Sequence, residues 1–181
     1  YQRVLLASID PSPLNIYLDS DGNWLARYRL SAQEKVVVKA KLYISVYPQA
    51  TLYDPSQKTF IHTTHSKYWS DKATLIEDLA SKLQTPENIY NYLVDTFTYN
   101  YTSYQTKTRQ GALQALTSPQ EVLCTEFTDA FVALTRNRQI PAREINGFGY
   151  SQQARLRPQN SGGDILHAWP EYFDLSMGHW V

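Results

Sequence analysis

The sequence predicts an α+β protein, in which a β-rich amino-terminal module precedes helices that pack on an antiparallel sheet. Three successive stretches of different hydrophobic period along the 181 residues support this prediction. Apolar residues alternate at every second position up to about residue 48, recur every three or four residues from about 75 to 138, and alternate again after 141. A period of two is typical of strands and a period of 3.6 is typical of helices.

The amino-terminal strands are predicted from this alternation and from turn residues. One strand is expected over 24–30, after the turn signal Asp21-Gly22-Asn23, and another over 35–47. The second strand should carry a half-buried face, made of Val36, Val38, Ala40, Leu42, Ile44 and Val46. We therefore expect a β-rich, sandwich-like module over residues 1–66, complete or partial, and a second domain over 67–181.

Two amphipathic helices are predicted at the start of the second domain. The first is expected to begin at Ser70 or Asp71, and its buried positions would be Leu75, Ile76, Leu79, Ala80 and Leu83. The second should begin at Thr85-Pro86-Glu87, which combines an N-cap residue, a proline at the first helical position and an acid in the first turn. A tyrosine-rich loop, 97–101, is expected to follow it.

A third helix carries Cys124, the only cysteine of the chain. The apolar stripe that begins with Cys124 continues through Phe127, Phe131 and Leu134, which predicts a helix to about Arg138. Its start has two interpretations. Either the helix begins at Cys124, or the capping-box sequence Ser118-Pro119-Gln120-Glu121 begins it earlier and leaves the thiol inside, where the helix dipole acts less.

The chain then returns to strands, predicted over 142–150 and 164–174. Alternation in the second strand places five residues on one face, Ile165, His167, Trp169, Glu171 and Phe173. Pro170 lacks a backbone donor, so the strand should be bulged there or unpaired on one side.

Composition bounds the function. Seventeen basic residues balance seventeen acidic ones, which disfavours binding to nucleic acid. No run of about 18 apolar residues is present, so no membrane segment is expected in this piece. The first residue is not methionine, which favours a processed or excised piece. Fourteen tyrosines and many small polar residues favour, by composition alone, a secreted or cell-surface bacterial protein. The oligomeric state stays open.

Neither a metal nor a cofactor is expected. His62 and His65 lie three residues apart in a polar connector, but no Cys, Asp or Glu stands at ligand spacing beside them. No acidic loop with calcium spacing is present either. A lone cysteine is more often core filler than a nucleophile, so Cys124 and His167 gain weight only as a pair.

Three blocks of the chain resemble the transglutaminase-like superfamily of papain-like cysteine acyltransferases and proteases. They are Cys124-Thr125-Glu126-Phe127 with Ile140-Pro141-Ala142-Arg143, then Asn146-Gly147-Phe148, and then His167-Ala168-Trp169-Pro170-Glu171-Tyr172. The resemblance covers roughly residues 70–181. It implies a transglutaminase-like core of helices on an antiparallel sheet, with Cys124 and His167 as the catalytic positions and Tyr99 as a candidate oxyanion donor.

The sequence departs from the family pattern at four places. Val122 stands where the family has glycine two residues before its cysteine, and Gln139 stands where it has glycine before Ile-Pro. Pro170 occupies a plain apolar strand position. The family's third catalytic residue follows a Gly-Trp pair, and Gly178-His179-Trp180-Val181 stops short of it, so we expect the second domain to be truncated at its carboxyl terminus. Glu171 shares the face of His167, but no third catalytic residue is assigned.

The resemblance implies a cysteine enzyme that transfers or hydrolyses acyl groups of protein or peptide amides through a Cys-His thioester mechanism. Cross-linking of Gln to Lys, deamidation and proteolysis all remain open. The alternative is an inactive scaffold that binds a protein or cell-wall partner, favoured by Val122, Gln139 and the missing acid. A cysteine protease of another fold would place helix and strand in a different order around the pair.

Overall fold

The computed structural model describes residues 2–19, 22–46, 66–70, 73–100, 108–150 and 164–181. The chain divides into two compact units, Tyr1–Thr51 and Leu52–Val181. The boundary falls between residues 46 and 66, outside the described residues, so the expected domain division at residue 66 stays a prediction. His62 and His65 also lie outside the described residues.

The first unit contains two antiparallel strand pairs among its described residues. Strand β1 (Gln2–Asp10) pairs with β4 (Lys39–Val46), with an irregularity between Leu6 and Ser8. Strand β2 (Asn15–Leu18) pairs with β3 (Trp24–Arg27). Strands β3 and β4 are shorter than the strands expected over 24–30 and 35–47.

The half-buried face expected over 36–46 is not formed in the first unit. Leu42 is 46% exposed and Ile44 is 53% exposed. Alternation placed these residues on one face correctly, but a two-stranded sheet buries a face only when another layer covers it. The described residues of this unit provide no such layer.

The second unit begins with two helices, α1 (Thr74–Leu83) and α2 (Pro86–Thr96). Helix α2 confirms its prediction, because the Thr85 hydroxyl accepts the backbone N–H of Asn88 at 3.2 Å and Pro86 is the first helical residue. Helix α1 starts at Thr74, later than the expected Ser70 or Asp71. Each helix buries part of its predicted stripe, with Ile76, Ala80, Ile89 and Leu93 at most 2% exposed, but Leu75, expected to be buried, is 37% exposed.

A short helix, α3 (Ala112–Thr117), was not predicted and decides where the next helix starts. Ser118 ends α3, donating its backbone N–H to the Gln114 carbonyl at 2.9 Å. Helix α4 then runs from Cys124 to Asn137, so the interpretation in which Ser118 begins this helix is wrong. Gln139, past its end, has a φ of 59°, which is the left-handed conformation that glycine adopts more easily.

The sheet of the second unit has the order β5-β6-β7, with β5 Ala142–Tyr150, β6 Asp164–Asp174 and β7 His179–Trp180. The pairing of β5 with β6 is antiparallel and regular past Pro170, which lies opposite Glu144. Phe173 donates its N–H to the Pro141 carbonyl, next to β5, whereas Tyr172 donates its N–H to the Val181 carbonyl, next to β7. The backbone nitrogens of the even-numbered residues of β6 therefore point away from β5. The N–H that Pro170 lacks would point to this side, past the described end of β7.

Helix α4 is buried almost all round and carries acids inside the second unit. Asp129 is 0% exposed and accepts from Trp69 Nε1 at 2.6 Å and from Arg109 Nε at 3.0 Å. The other end of the Arg109 guanidinium contacts Asp129 again and Glu144 of β5, the latter at 2.7 Å. Arg136 lies over the Trp69 ring. This network joins α4 to the segment 66–70, the segment before α3 and the sheet.

Burial and ion pairing shift the pKa of each group in this network in opposite directions. Burial raises the pKa of the Asp129 carboxyl, and the hydrogen bonds from Arg109 and Trp69 offset part of that rise. Burial alone lowers the pKa of Arg109, but its bonds to Asp129 and Glu144 hold that pKa above its ordinary value. The ion pair is therefore favourable only while all three groups stay together.

Arg109→Met is expected to destabilise the protein by about 3 kcal/mol, since it leaves two buried carboxylates without their cation. The measurement is urea unfolding at neutral pH. Arg143→Met is the matched control, because both arginine side chains are 25% exposed, whereas Glu171, the partner of Arg143, is 27% exposed. The control should cost less than about 1 kcal/mol. Equal costs for the two variants would contradict the network's importance.

Candidate active site

Cys124 is the first residue of α4 and lies at its amino terminus. The preceding Leu123 is extended, and its carbonyl accepts the first helical bond from Phe127 at 3.1 Å. The thiol is partly exposed. Amides in the first turn of a helix lack partners within the helix, and the dipole there favours a negative charge. The position suits a thiolate and the oxyanion that it would generate.

Glu126 holds the start of α4 in place. Its carboxylate is 2% exposed and accepts the Leu123 and Gln110 N–H groups, each at 3.1 Å. The Thr125 hydroxyl donates to the same carboxylate at 3.0 Å. One buried acid therefore joins the residue before Cys124 to the segment before α3.

Tyr99 lies beside the first turn of α4. It forms a parallel bridge with Val122, and the following Asn100 donates its N–H to the Val122 carbonyl at 2.9 Å. The Tyr99 ring stacks on Phe127 with a centroid distance of 6.4 Å. Val122, one of the departures from the family pattern, is fully buried in this contact. The structure thus brings the segment of Tyr99 alongside the residues that lead into Cys124.

His167 projects from one face of β6, together with Trp169 and Glu171. The imidazole stacks on the Trp169 indole at a centroid distance of 6.3 Å. The opposite face carries Ala168 and Tyr172, and Tyr172 contacts Phe131 of α4. Helix α4 therefore contacts this face at Tyr172, and Trp169 of the His167 face lines a cavity together with Phe131 of α4.

Cys124 and His167 lie at the same end of the helix–sheet layer. Along α4, Arg136 contacts Ala142, whereas Asp129, nearer the amino terminus, reaches Glu144 through Arg109. The helix amino terminus therefore points towards the later residues of β5 and the earlier ones of β6. Phe131 and Tyr172 are in contact and serve as a common reference point. Cys124 lies about 10 Å from Phe131 along α4, and His167 lies about 16 Å from Tyr172 along β6, in the same direction.

The two side chains are not hydrogen-bonded to each other in the described part of the chain. The expectation that Cys124 faces His167 stays a prediction. The catalytic pairing of these residues stays a prediction.

The acids near His167 have other partners. Glu171 accepts from Arg143 at 2.8 and 3.0 Å, and the Arg143 guanidinium lies 4.1 Å from the centre of the Trp180 ring. Asp174 accepts from Ser176 and Met177 in the turn before β7. These bonds hold the pKa of the Asp174 carboxyl below its ordinary value. No described acid accepts a hydrogen bond from His167.

Neither a metal site nor a membrane span is found within the described ranges. No group of three or more potential metal ligands comes together there. Every described helix is too short or too polar to cross a bilayer.

The sequence missed the acids that organise this site. Glu126 and Asp129 are three residues apart on α4, and the predicted stripe left both on the polar side. Arg109 and Trp69, which lie 20 and 60 residues before Asp129, showed no pattern that links them to it. Three of the 14 residues of α4 are charged, a fraction similar to the 19% of the whole chain, so the charge content of the helix gave no signal of its burial.

The sequence from residue 72 to 181 matches the Transglutaminase-like superfamily, which is more than half of the chain. The chain therefore belongs to this superfamily. No curated protein matches it.

Solved structures resemble its fold. One is a proposed cysteine protease from Cytophaga hutchinsonii, with 16% identity and a TM-score of 0.57 over 100% of this chain and 63% of that one. Another is the periplasmic domain of TgpA from Pseudomonas aeruginosa, with 19% identity and a TM-score of 0.56 over 96% of this chain and 60% of that one. This chain thus spans about three fifths of either structure. The α+β prediction is confirmed.

Glu126→Gln is expected to destabilise the protein by about 2 kcal/mol, because the amide replaces one acceptor oxygen and leaves a buried N–H without a partner. Thermal and urea unfolding measure this. Glu87→Gln is the control, since Glu87 is also an acid in the first turn of a helix but is exposed. The control should cost less than about 1 kcal/mol. A loss of unfolding free energy in Glu126→Gln as small as that in the control would argue against the stabilising role given to the hydrogen bonds of Glu126.

Proposed function

We propose that this chain carries the nucleophile of a cysteine enzyme that transfers or hydrolyses acyl groups of protein or peptide amides. The observation that supports this best is the position of Cys124 as the first residue of a buried helix. Membership of the superfamily and the descriptions of the similar structures favour the same class. The hydrogen bond that the Glu126 carboxylate accepts from the Leu123 N–H fixes the backbone next to the nucleophile.

In the proposed reaction, the Cys124 thiolate attacks the carbonyl carbon of a carboxamide or peptide bond. His167 takes the thiol proton and donates it to the leaving nitrogen as the carbon–nitrogen bond breaks, which leaves a thioester. Water then releases an acid, or an amine such as lysine releases an isopeptide, and the thiol is restored. The Cys124 amide and the Tyr99 hydroxyl are the candidate donors to the oxyanion.

Catalysis by this pair requires the His167 imidazole to come within hydrogen-bond reach of the thiol. Catalytic hydrogen bonds are often long in the free enzyme and shorten when substrate binds. Both residues lie at the same end of the layer, which is compatible with such a contact. The acceptor, and hence the choice among cross-linking, deamidation and proteolysis, is left open by these residues.

A binding scaffold is the second candidate function, favoured by the absence of a Cys124–His167 hydrogen bond within the described residues. Such a scaffold would bind a protein or cell-wall partner and would not need the thiol. The two candidates differ in what they require of Cys124.

Cys124 is expected to react with iodoacetamide faster than a free thiol at about pH 6, where an ordinary cysteine is mostly protonated. His167→Ala should lower the rate at least about tenfold, since the imidazole is the proposed base. His179→Ala is the control, because His179 lies in β7, where its Nδ1 is 3.2 Å from the Met177 carbonyl of the preceding turn. The measurement is mass spectrometry of the alkylated protein over time.

Incorporation of a fluorescent amine into casein, ammonia release and casein cleavage test the reaction itself in the whole protein. Cys124→Ser should reduce whichever of these activities the protein has by at least about a hundredfold. A thiol no more reactive than free cysteine, together with undiminished partner binding by Cys124→Ser, would establish the scaffold instead.

A further inference from the structure

We propose that Trp169 is a positioning residue that orients the His167 imidazole, and that Gly147 provides the space that it needs. This inference rests on the proposed function, because it assigns a role towards the proposed base. It concerns the face of the β5–β6 pair that carries His167.

The register of β5 and β6 places two glycines beneath two rings. Gly147 is paired with His167, and Ile145 is paired with Trp169. The Trp169 indole does not lie over its cross-strand partner Ile145 but over Gly147. There its Cη2 and Cζ3 atoms lie 2.8 and 3.2 Å from the position that a Cβ would occupy. The His167 ring leans in the same direction, over Gly149, with Cγ and Cδ2 at 3.8 Å from the corresponding place.

Gly147 is required by this arrangement for its lack of a side chain, not for its backbone. Its φ is outside the left-handed region, since Gly22, Gly111 and Gly178 are the described glycines with positive φ. A methyl group at 147 would occupy the volume of the indole. The ring would have to move, and His167, the direct cross-strand partner of residue 147, would be crowded as well.

The indole packs beside the imidazole. The His167 ring stacks on Trp169 at an interplanar angle of 29°, and within the described residues its nitrogens hydrogen-bond to no acid. An imidazole without such a bond depends on packing for its orientation. Trp169 also separates the ring from the ion pair of Arg143 and Glu171, which follows it on the same face.

The matched pair of variants is Gly147→Ala and Gly149→Ala. The first places a methyl group against the indole at 2.8 Å, and the second places one in ordinary contact with His167 at 3.6 Å. Neither change strains the backbone. Gly147→Ala and Trp169→Leu should each slow iodoacetamide alkylation of Cys124 about tenfold at about pH 6, where reaction depends on the base. Gly149→Ala should stay within about twofold of the unmodified protein.

Alkylation at about pH 9 separates positioning from structural damage. An ordinary thiol is largely ionised there without help, so the variants should react as fast as the unmodified protein. A Gly147→Ala protein slowed equally at both pH values would overturn the inference, because a disturbed helix start would explain it. So would a Gly147→Ala protein that is not slowed at all.

The double variant Gly147→Ala, Trp169→Leu tests the steric argument and remains informative if Gly147→Ala folds poorly. With the indole removed, the added methyl group has no ring to displace, so the double variant should react no more slowly than Trp169→Leu. An additional loss in the double variant would contradict the role given to Gly147.

His167→Ala distinguishes failure of this inference from failure of the proposed function. If His167→Ala leaves the alkylation rate unchanged, His167 is not the base and the proposed function fails. If His167→Ala slows the reaction but Trp169→Leu does not, the base is correct and only its positioning by Trp169 is overturned.

Discussion

The burial of two acids on α4 is the constraint on which the second unit depends. A carboxylate without water is costly, so each must find its donors inside the protein. Asp129 obtains them from Trp69 and Arg109, and Glu126 obtains them from backbone N–H groups on either side of α3. Segments that are distant in sequence, and that contain little regular structure, are therefore held against the same helix.

The start of α4, and hence the position of Cys124, follows from this constraint. Glu126 accepts the Leu123 N–H, which ends the extended segment and lets the helix begin at the next residue. The bridge between Tyr99 and Val122 holds the same segment from the other side. A cysteine in this place lies at the positive end of the helix dipole without being buried in the core.

The β5–β6 pair has two faces with different roles. Ala142, Ala168 and Tyr172 lie on the face that packs on α4, which anchors the sheet to the helix. The other face carries His167 and Trp169 over two glycines. Because a strand gives alternate residues to opposite faces, Ala168 and His167 lie on opposite faces of β6.

The sequence by itself determined the period of α1, α2, α4, β5 and β6, the cap of α2 and the family. These depend on neighbours within a few residues, and local sterics and hydrogen bonds decide them. Only the tertiary structure decided that α4 begins at Cys124 and that Arg109 neutralises Asp129. Each of these depends on contacts between distant segments, and burial, not local preference, selects among the arrangements that the sequence allows.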